Sequence, residues 1–286
     1  MVADRLGLVV DYVFAHLPSA QPEVRFLAMV FFALQIFADF QGYTNIARGS
    51  ARILGLELMK NFNNPYASVS VTEFWRRWHI SLSTWLRDYL FSSSLFVFRG
   101  LGKAGVMLAL LLTFTVSGIW HGANWTFVMF GLINGFYLVV EYALRLGTLK
   151  SKNFFLRNFR RFTTFMLMLV AWVYFRAANL EDAQSVLADL PEGFMRLLGR
   201  LAAFGLFDAD FLTAINSSVK ELSGALVATL IAMGAESYWQ IHDIDEQPWS
   251  LGVQFRWLIY PAAVATVLLS WIFFSASNRP FIYFQF

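Results

Sequence analysis

The chain has 286 residues, of which 58% are apolar, 18% are aromatic and only 14% are charged, with a formal net charge of +3. Soluble proteins average roughly 25% charged residues, so this composition argues against a soluble fold, and it excludes a disordered chain. The absence of cysteine excludes disulfides, thiol nucleophiles and cysteine-based metal sites. We therefore expect an integral membrane protein without a metal site and without a nucleic-acid partner.

The first elements in the chain are a short amphipathic piece and a long apolar run. Residues 1–21 mix charged with apolar side chains and lack the uninterrupted apolar core of a signal peptide. Residues 24–46 are long enough for a first span, because about 20 apolar residues cross the bilayer core. Asp39 lies near the far end of this run. The Asn-rich stretch 60–68 then predicts a loop.

Residues 70–91 have the pattern of an amphipathic helix. Ser70 and Glu73 have the spacing of a capping box, which predicts a helix start at this point. On a helical wheel the tryptophans cluster on one face and the arginines on the opposite face, with His79 as the one strongly polar side chain on the apolar face. This arrangement predicts a helix that lies in the membrane interface.

Residues 104–140 contain no Asp, Glu, Lys or Arg. One helix of that length would measure about 56 Å, which is too long for a bilayer core of about 30 Å. We therefore expect two short spans, 104–120 and 123–144, with a break at Gly122. This predicts a re-entrant or hairpin segment that carries His121 at its apex.

The distribution of charge predicts the orientation of the chain. Residues 76–103 and 145–161 are rich in Lys and Arg and should face the cytoplasm, whereas the acidic segment 179–221 should face outward. The expected fold is all-α, a polytopic transmembrane helical protein in which residues 1–286 form a single membrane domain. The remaining predicted spans are 162–178, 222–239 and 257–274.

Several polar residues are candidates for a functional site. Ionisable groups within apolar membrane segments usually mark function, which favours His121; the alternative is a structural histidine bonded to a neighbouring helix. His79 is either functional or an ordinary residue at the edge of an amphipathic face. Asp39 by default is an interfacial carboxylate, and Arg76 and Arg77 most simply face lipid phosphates.

Two motifs, FWRRWHISLSTWLRDYLF and SGIWHGANWTFVMFGLING, resemble the membrane-bound O-acyltransferase (MBOAT) family, most closely its alginate O-acetyltransferase branch. Family members carry several spans before the point where this chain begins, so we expect a C-terminal portion or a trimmed variant. The family stretch DFSGYSD appears here as DFQGYTN, without a carboxylate at Asn45. The stretches that carry the resemblance are Ala38–Leu56, Asn61–Tyr66, Phe74–Phe91, Ser117–Gly135, Trp172–Ala177 and Arg279–Phe286.

The resemblance implies an O-acetyltransferase that moves an acetyl group across the membrane to an exported, alginate-like polysaccharide. It implies His121 as the general base and His79 as a second catalytic histidine. It also implies acetyl-CoA as donor with no bound cofactor, a secreted SGNH-type partner, and a multi-pass location in the bacterial inner membrane. The implied donor-binding or tunnel residues are Asp39, Tyr43, Asn45, Trp75, Arg76, Arg77, Trp78, Ser117, Trp120 and Asn124.

Two alternatives stay open. A related branch of the family transfers D-alanyl groups from a carrier protein to a cell-envelope polymer. A non-catalytic transporter or membrane scaffold would explain the spans, but it would not explain why both histidines lie in uncharged, aromatic surroundings.

Overall fold

A computed structural model of the chain describes residues 2–146 and 153–217 and scattered helical positions between 222 and 265. The regular structure of these residues is entirely helical, which confirms the all-α prediction. The predicted spans 222–239 and 257–274 lie largely outside the described residues. Up to residue 217, the α-helices of the described residues are α1 (Val2–Ala15), α2 (Pro22–Ile53), α3 (Val71–Arg77), α4 (Ile80–Trp85), α5 (Ser92–Val97), α6 (Lys103–His121), α7 (Trp125–Ala143), α8 (Phe154–Arg176), α9 (Leu180–Ala202) and α10 (Ala209–Ala214).

Helix α2 is the longest helix among the described residues and packs against α1, α8 and α9. Its 32 residues continue past the predicted span 24–46 and make a rod of about 48 Å. Ion pairs fix its N-terminal part to α9, from Arg25 to Asp189 at 2.7 Å and from Arg200 to the buried Glu23 at 3.1 Å.

The predicted interfacial helix 70–91 begins as expected but is not one helix. Ser70 Oγ accepts a hydrogen bond from the Glu73 amide at 3.1 Å, which confirms the predicted helix start with Ser70 as its N-cap; the Glu73 carboxylate accepts from the Val69 amide at 2.8 Å. The helix α3 then ends at Arg77, and a second rod starts at Ile80 and runs through α4, a π-helical turn (Leu86–Phe91) and α5. The single-helix prediction was wrong because His79 adopts a left-handed backbone conformation between the two rods.

Helices α6 and α7 form an antiparallel pair that breaks at Gly122, as predicted. Each has 19 residues, or about 28 Å, close to the thickness of a bilayer core. Glycines allow the close packing: a Cβ atom on Gly131 would lie 2.3 Å from the Phe114 carbonyl oxygen, and one on Gly118 would lie 2.3 Å from that of Phe127. That the pair is re-entrant stays a prediction.

Within the described residues, α6 and α7 are the two helices that are long and apolar enough to cross a membrane. The predicted spans 24–46 and 162–178 lie in α2 and α8, which do not meet this criterion. Helix α8 starts earlier than predicted because the side chain of Asn153 caps it, accepting a hydrogen bond from the Leu156 amide at 3.2 Å. The earlier start brings arginines into its first turns, while its second half supplies the buried Trp172 to the core.

Candidate active site

His79 lies on a sharp kink between α3 and α4. Its φ and ψ angles of 43° and 56° are left-handed, a conformation that costs a residue with a Cβ atom free energy and persists only where the surroundings hold it. In this structure Asn61 stabilises the left-handed conformation of His79. The Asn61 main-chain oxygen accepts a hydrogen bond from the Ile80 amide at 2.9 Å, and its side-chain oxygen accepts one from the Ser81 amide at 3.1 Å.

The half-buried ring of His79 lies in an aromatic and polar environment. The ring of Phe40, from α2, packs edge-on against it with centroids 4.7 Å apart. The Nδ1 atom is 3.3 Å from Ser81 Oγ. Burial lowers the pKa of His79, and the charge of a protonated His121 would lower it further. His79 is therefore neutral at pH 7 and has one ring nitrogen available as donor and the other as acceptor.

His121 is the last residue of α6, and its ring is half-buried among aromatic side chains rather than fully enclosed. The helix ends at this point because Gly122 adopts an extended conformation. Rings from three helices surround the imidazole. Their centroids lie within 6.4 Å of it, and the residues are Trp120, Phe127, Phe130 and Phe175.

An aromatic cluster lies between the regions of the two histidines. Trp172, from α8, contacts Trp78 with ring centroids 5.0 Å apart and stacks on Phe130 at 5.5 Å. Trp78 neighbours His79 in the chain, and Phe130 contacts the ring of His121. The structure thus brings the two histidines, which are far apart in the sequence, to one aromatic core and within range of electrostatic interaction.

A cleft of about 1620 Å³ opens beside this core, between the α3–α5 segment and the α6–α7 pair. It follows α6 from Lys103 to Phe114, a distance of about 16 Å. Its apolar part includes Val106, Met107 and Leu110. Basic residues line it as well, and these are Arg76, Arg87, Lys103, Arg145, Arg157 and Arg160.

The lining of the cleft is positively charged, because both of its acidic residues make ion pairs or hydrogen bonds with neighbouring groups. Glu73 pairs with Arg77 at 2.6 Å. Glu141 accepts hydrogen bonds from the amides of Val71 and Thr72, at 2.6 and 2.9 Å, and so caps α3. Among the basic residues that line the cleft, three have side chains with neither a hydrogen bond nor an ion pair in the described part of the chain, and these are Arg76, Lys103 and Arg157.

The other candidates on the α3 segment divide between cleft and core. Trp75 and Arg76 line the cleft. Arg77 is used structurally, since it also donates to the Asn63 carbonyl at 3.3 Å. Trp78 is buried in the aromatic cluster and does not line the cleft.

The candidates near His121 have mixed roles. Ser117 is buried, whereas 61% of Trp120 is exposed. The side-chain oxygen of Asn124 accepts a hydrogen bond from the Thr126 amide at 3.2 Å, and its amide group donates to the Ala178 carbonyl at 2.8 Å. Asn124 thus caps α7 and joins it to the end of α8.

The candidates on α2 lie on its second half. Asp39 is half-buried, whereas Tyr43 and Asn45 are exposed. They lie on the same stretch of α2 as Phe40, the residue that packs against His79. Roles of these three residues in substrate binding stay predictions.

Sequence reasoning missed three residues that shape the site: Asn61, Asn134 and Glu141. Asn134 is fully buried, and its side-chain oxygen accepts a hydrogen bond from Trp75 Nε1 at 3.1 Å. A signal for Asn134 was available, because it is an amide within the uncharged run 104–140. Asn61 and Glu141 form hydrogen bonds with segments that are distant in the sequence, and the local sequence pattern does not reveal such contacts.

Comparison with known proteins adds to this geometry. Residues 17–181 match the profile of MBOAT, the membrane-bound O-acyltransferase family. The probable alginate O-acetylase AlgI of Pseudomonas putida is 35% identical, covering 100% of this chain and 58% of that protein. The peptidoglycan O-acetyltransferase of Helicobacter pylori is 28% identical, covering 100% of this chain and 54% of that protein.

A third relative matches a smaller part of the chain. The teichoic acid D-alanyltransferase of Bacillus subtilis is 37% identical over 37% of this chain and 28% of that protein. The chain spans 37–58% of the length of the alginate O-acetylase relatives. On the profile match, which covers more than half of its length, this chain belongs to the membrane-bound O-acyltransferase family.

Proposed function

We propose that this chain forms the catalytic portion of a membrane O-acyltransferase that takes an acyl group from a phosphate-bearing thioester in the basic cleft. The acyl group passes to a hydroxyl group at His121. The observation that carries the proposal is the course of the cleft. It contains three cationic side chains that have no partner among the described residues, and it extends to aromatic side chains that contact the surroundings of His121.

The cleft suits acetyl-CoA as donor. Coenzyme A carries its phosphates at one end and its thioester at the end of a long, flexible arm. Arg76, Lys103 and Arg157 would attract the phosphates, because charge-assisted hydrogen bonds to phosphate are strong and a positive cleft raises the local concentration of anions. The apolar lining along α6 would receive the arm.

His121 would act as general base. Its imidazole accepts the proton of the attacking hydroxyl group while the hydroxyl oxygen forms a bond to the thioester carbon. The carbon–sulfur bond then breaks, and the leaving thiolate takes the proton from His121. Neutral His79 would donate a hydrogen bond to the thioester carbonyl oxygen and polarise it. General base catalysis typically contributes about 10²–10⁴-fold to the rate.

The acceptor would be a hydroxyl group of an exported polysaccharide, alginate-like in chemistry, or a serine of a secreted SGNH-type partner that passes the group on. The names of the relatives, alginate O-acetylase and peptidoglycan O-acetyltransferase, support acyl transfer to a polymer outside the membrane. The protein would lie in the bacterial cytoplasmic membrane with several spans and the cleft facing the cytoplasm.

D-alanyl transfer from a carrier protein is the second candidate. The cations of the cleft would also fit the single phosphate of a phosphopantetheine arm and an acidic carrier surface, and one relative is named a teichoic acid D-alanyltransferase. A carrier would be held mainly by protein contacts at the mouth, so free acetyl-CoA would then be a poor donor.

Donor kinetics test the proposal. Membranes that contain the protein are supplied with labelled acetyl-CoA or with a D-alanyl carrier, and transfer to polysaccharide or secreted protein is measured. We expect Arg76→Ala, Lys103→Ala and Arg157→Ala each to raise KM for acetyl-CoA by roughly tenfold with a smaller change in kcat. Arg99→Ala is the matched control, because Arg99 does not line the cleft. Unchanged KM values in all three variants would refute the donor site.

A further inference from the structure

Trp75 lies between the cleft and the surroundings of His121. One part of its side chain lines the cleft. Its indole also packs edge-to-face against Phe114 and Phe130, with ring centroids 5.1 and 6.3 Å away. Phe130 in turn contacts the imidazole of His121, with centroids 5.9 Å apart. His121 does not line the cleft, and the indole of Trp75 lies between the cleft and the aromatic side chains around His121.

A buried hydrogen bond fixes the orientation of this indole. Trp75 Nε1 donates to the side-chain oxygen of Asn134 at 3.1 Å, and the Asn134 amide group donates to the Phe130 carbonyl at 2.8 Å. Asn134 has no exposed surface. A buried amide in an apolar helix is costly unless its hydrogen bonds are made. Rotating the indole away would leave both the Asn134 oxygen and the indole N–H unsatisfied.

The backbone that carries Trp75 is also tied to α7. The carboxylate of Glu141, two turns beyond Asn134 on α7, caps the start of α3 through the amides of Val71 and Thr72. Helix α7 thus contacts α3 at two places. Glu141 binds the N-terminus of α3, and Asn134 binds the indole nitrogen of Trp75. The position of the indole is therefore fixed by contacts from one helix, α7.

We infer that Trp75, held by Asn134, determines the length of acyl group that the enzyme accepts and restricts it to short acyl groups. This inference rests on the proposed function. The acyl carbon must come close to His121, so the atoms beyond the carbonyl must fit beside the indole. Each additional methylene that cannot be buried forfeits about 0.8 kcal/mol of binding, or roughly fourfold. An indole held by a hydrogen bond to the buried Asn134 does not move aside to accept additional methylenes.

A series of acyl-CoA donors tests the inference. Transfer from acetyl-, butyryl- and hexanoyl-CoA is measured in membranes that contain wild-type protein, Trp75→Ala, Trp75→Phe or Asn134→Leu. Binding of non-hydrolysable thioether analogues with the same chain lengths is measured in parallel. We expect the wild type to prefer the acetyl compound. The ratio of the hexanoyl transfer rate to the acetyl transfer rate should rise at least tenfold, roughly, in Trp75→Ala and less in Trp75→Phe. It should also rise in Asn134→Leu, which frees the indole without removing it.

Trp78→Phe is the control for general loss of packing. Trp78 is buried even more deeply than Trp75 but does not line the cleft, so its substitution should lower total activity without changing the ratio of hexanoyl to acetyl transfer. Wild-type ratios in Trp75→Ala and Asn134→Leu, or equal binding of all chain lengths by the wild type, would overturn the inference. Chain-length-dependent binding that Trp75→Ala abolishes, in a protein that transfers no acyl group, would support the inference and refute the proposed function.

Discussion

The side-chain oxygen of Asn61 accepts a hydrogen bond from the amide of Ser81 at 3.1 Å, two residues after the left-handed kink at His79. A continuous helix would satisfy this amide from within. The kink removes that bond, and the Asn-rich loop before α3 replaces it. The backbone conformation that presents His79 is therefore set from outside its own helix.

Asn61→Ala should weaken this kink. The variant leaves the Ser81 amide without its partner, so we expect a loss of about 1–2 kcal/mol of stability and a fall in kcat larger than the change in KM. Asn61→Asp keeps an acceptor oxygen and should restore most of the stability. Melting temperature and acyl-transfer kinetics on the same preparations measure both effects. An Asn61→Ala variant with wild-type kcat would show that the kink does not depend on this bond.

Stability should depend on pH through His79. Burial lowers its pKa in the folded protein, whereas the unfolded chain has the ordinary value of about 6.5. As the pH falls below about 6.5, the unfolded state therefore binds a proton before the folded state does, and stability decreases. We expect the melting temperature to fall between pH 7 and pH 5, and to fall less in His79→Gln. Equal pH dependence in the two proteins would contradict the assignment.

The charge distribution predicts the topology of the chain. Single cysteines introduced at Arg99 and Lys152 should be labelled only from the cytoplasmic side, and one at Glu181 only from outside. The absence of native cysteine makes the experiment clean. Labelling of position 152 solely from outside intact cells would invert the predicted orientation and place the cleft away from a cytoplasmic donor.

The α6–α7 pair should not tolerate a side chain at Gly131. A Cβ atom there meets backbone atoms of α6, the nearest being the Phe114 carbonyl oxygen at 2.3 Å, so the helices must separate. We expect Gly131→Ala to cost about 1–3 kcal/mol and to lower the melting temperature. Gly199→Ala is the control, because a Cβ atom on this exposed helical glycine meets no atom within 4 Å. A similar melting temperature in both variants would argue against the close approach.

Much of the local structure was predictable from the sequence. Helix starts marked by a capping side chain, such as Ser70, and a break marked by a glycine, such as Gly122, follow from backbone chemistry. The two histidines were identifiable because polar groups in apolar, aromatic segments are unusual.

The features that the sequence did not predict arise from contacts between distant segments. The kink at His79 lies within an uninterrupted amphipathic pattern, and it occurs at a residue that lacks the conformational freedom of glycine. Its cause is the interaction with Asn61, which is visible only in three dimensions. The pairing of Trp75 with Asn134 is of the same kind. The predicted spans in α2 and α8 stay predictions, because an apolar run that packs in a protein core resembles one that faces lipid.

The central claim is that His121 transfers the proton, and His121→Gln tests it most directly. Glutamine keeps approximate size and hydrogen bonding but cannot act as a base at neutral pH. Acyl transfer and melting temperature are measured on one preparation of the full-length variant in membranes and detergent. We expect transfer to fall by at least about 10²-fold while the melting temperature stays close to that of the wild type. Wild-type transfer, or a loss of transfer that parallels a loss of stability, would contradict the catalytic assignment of His121.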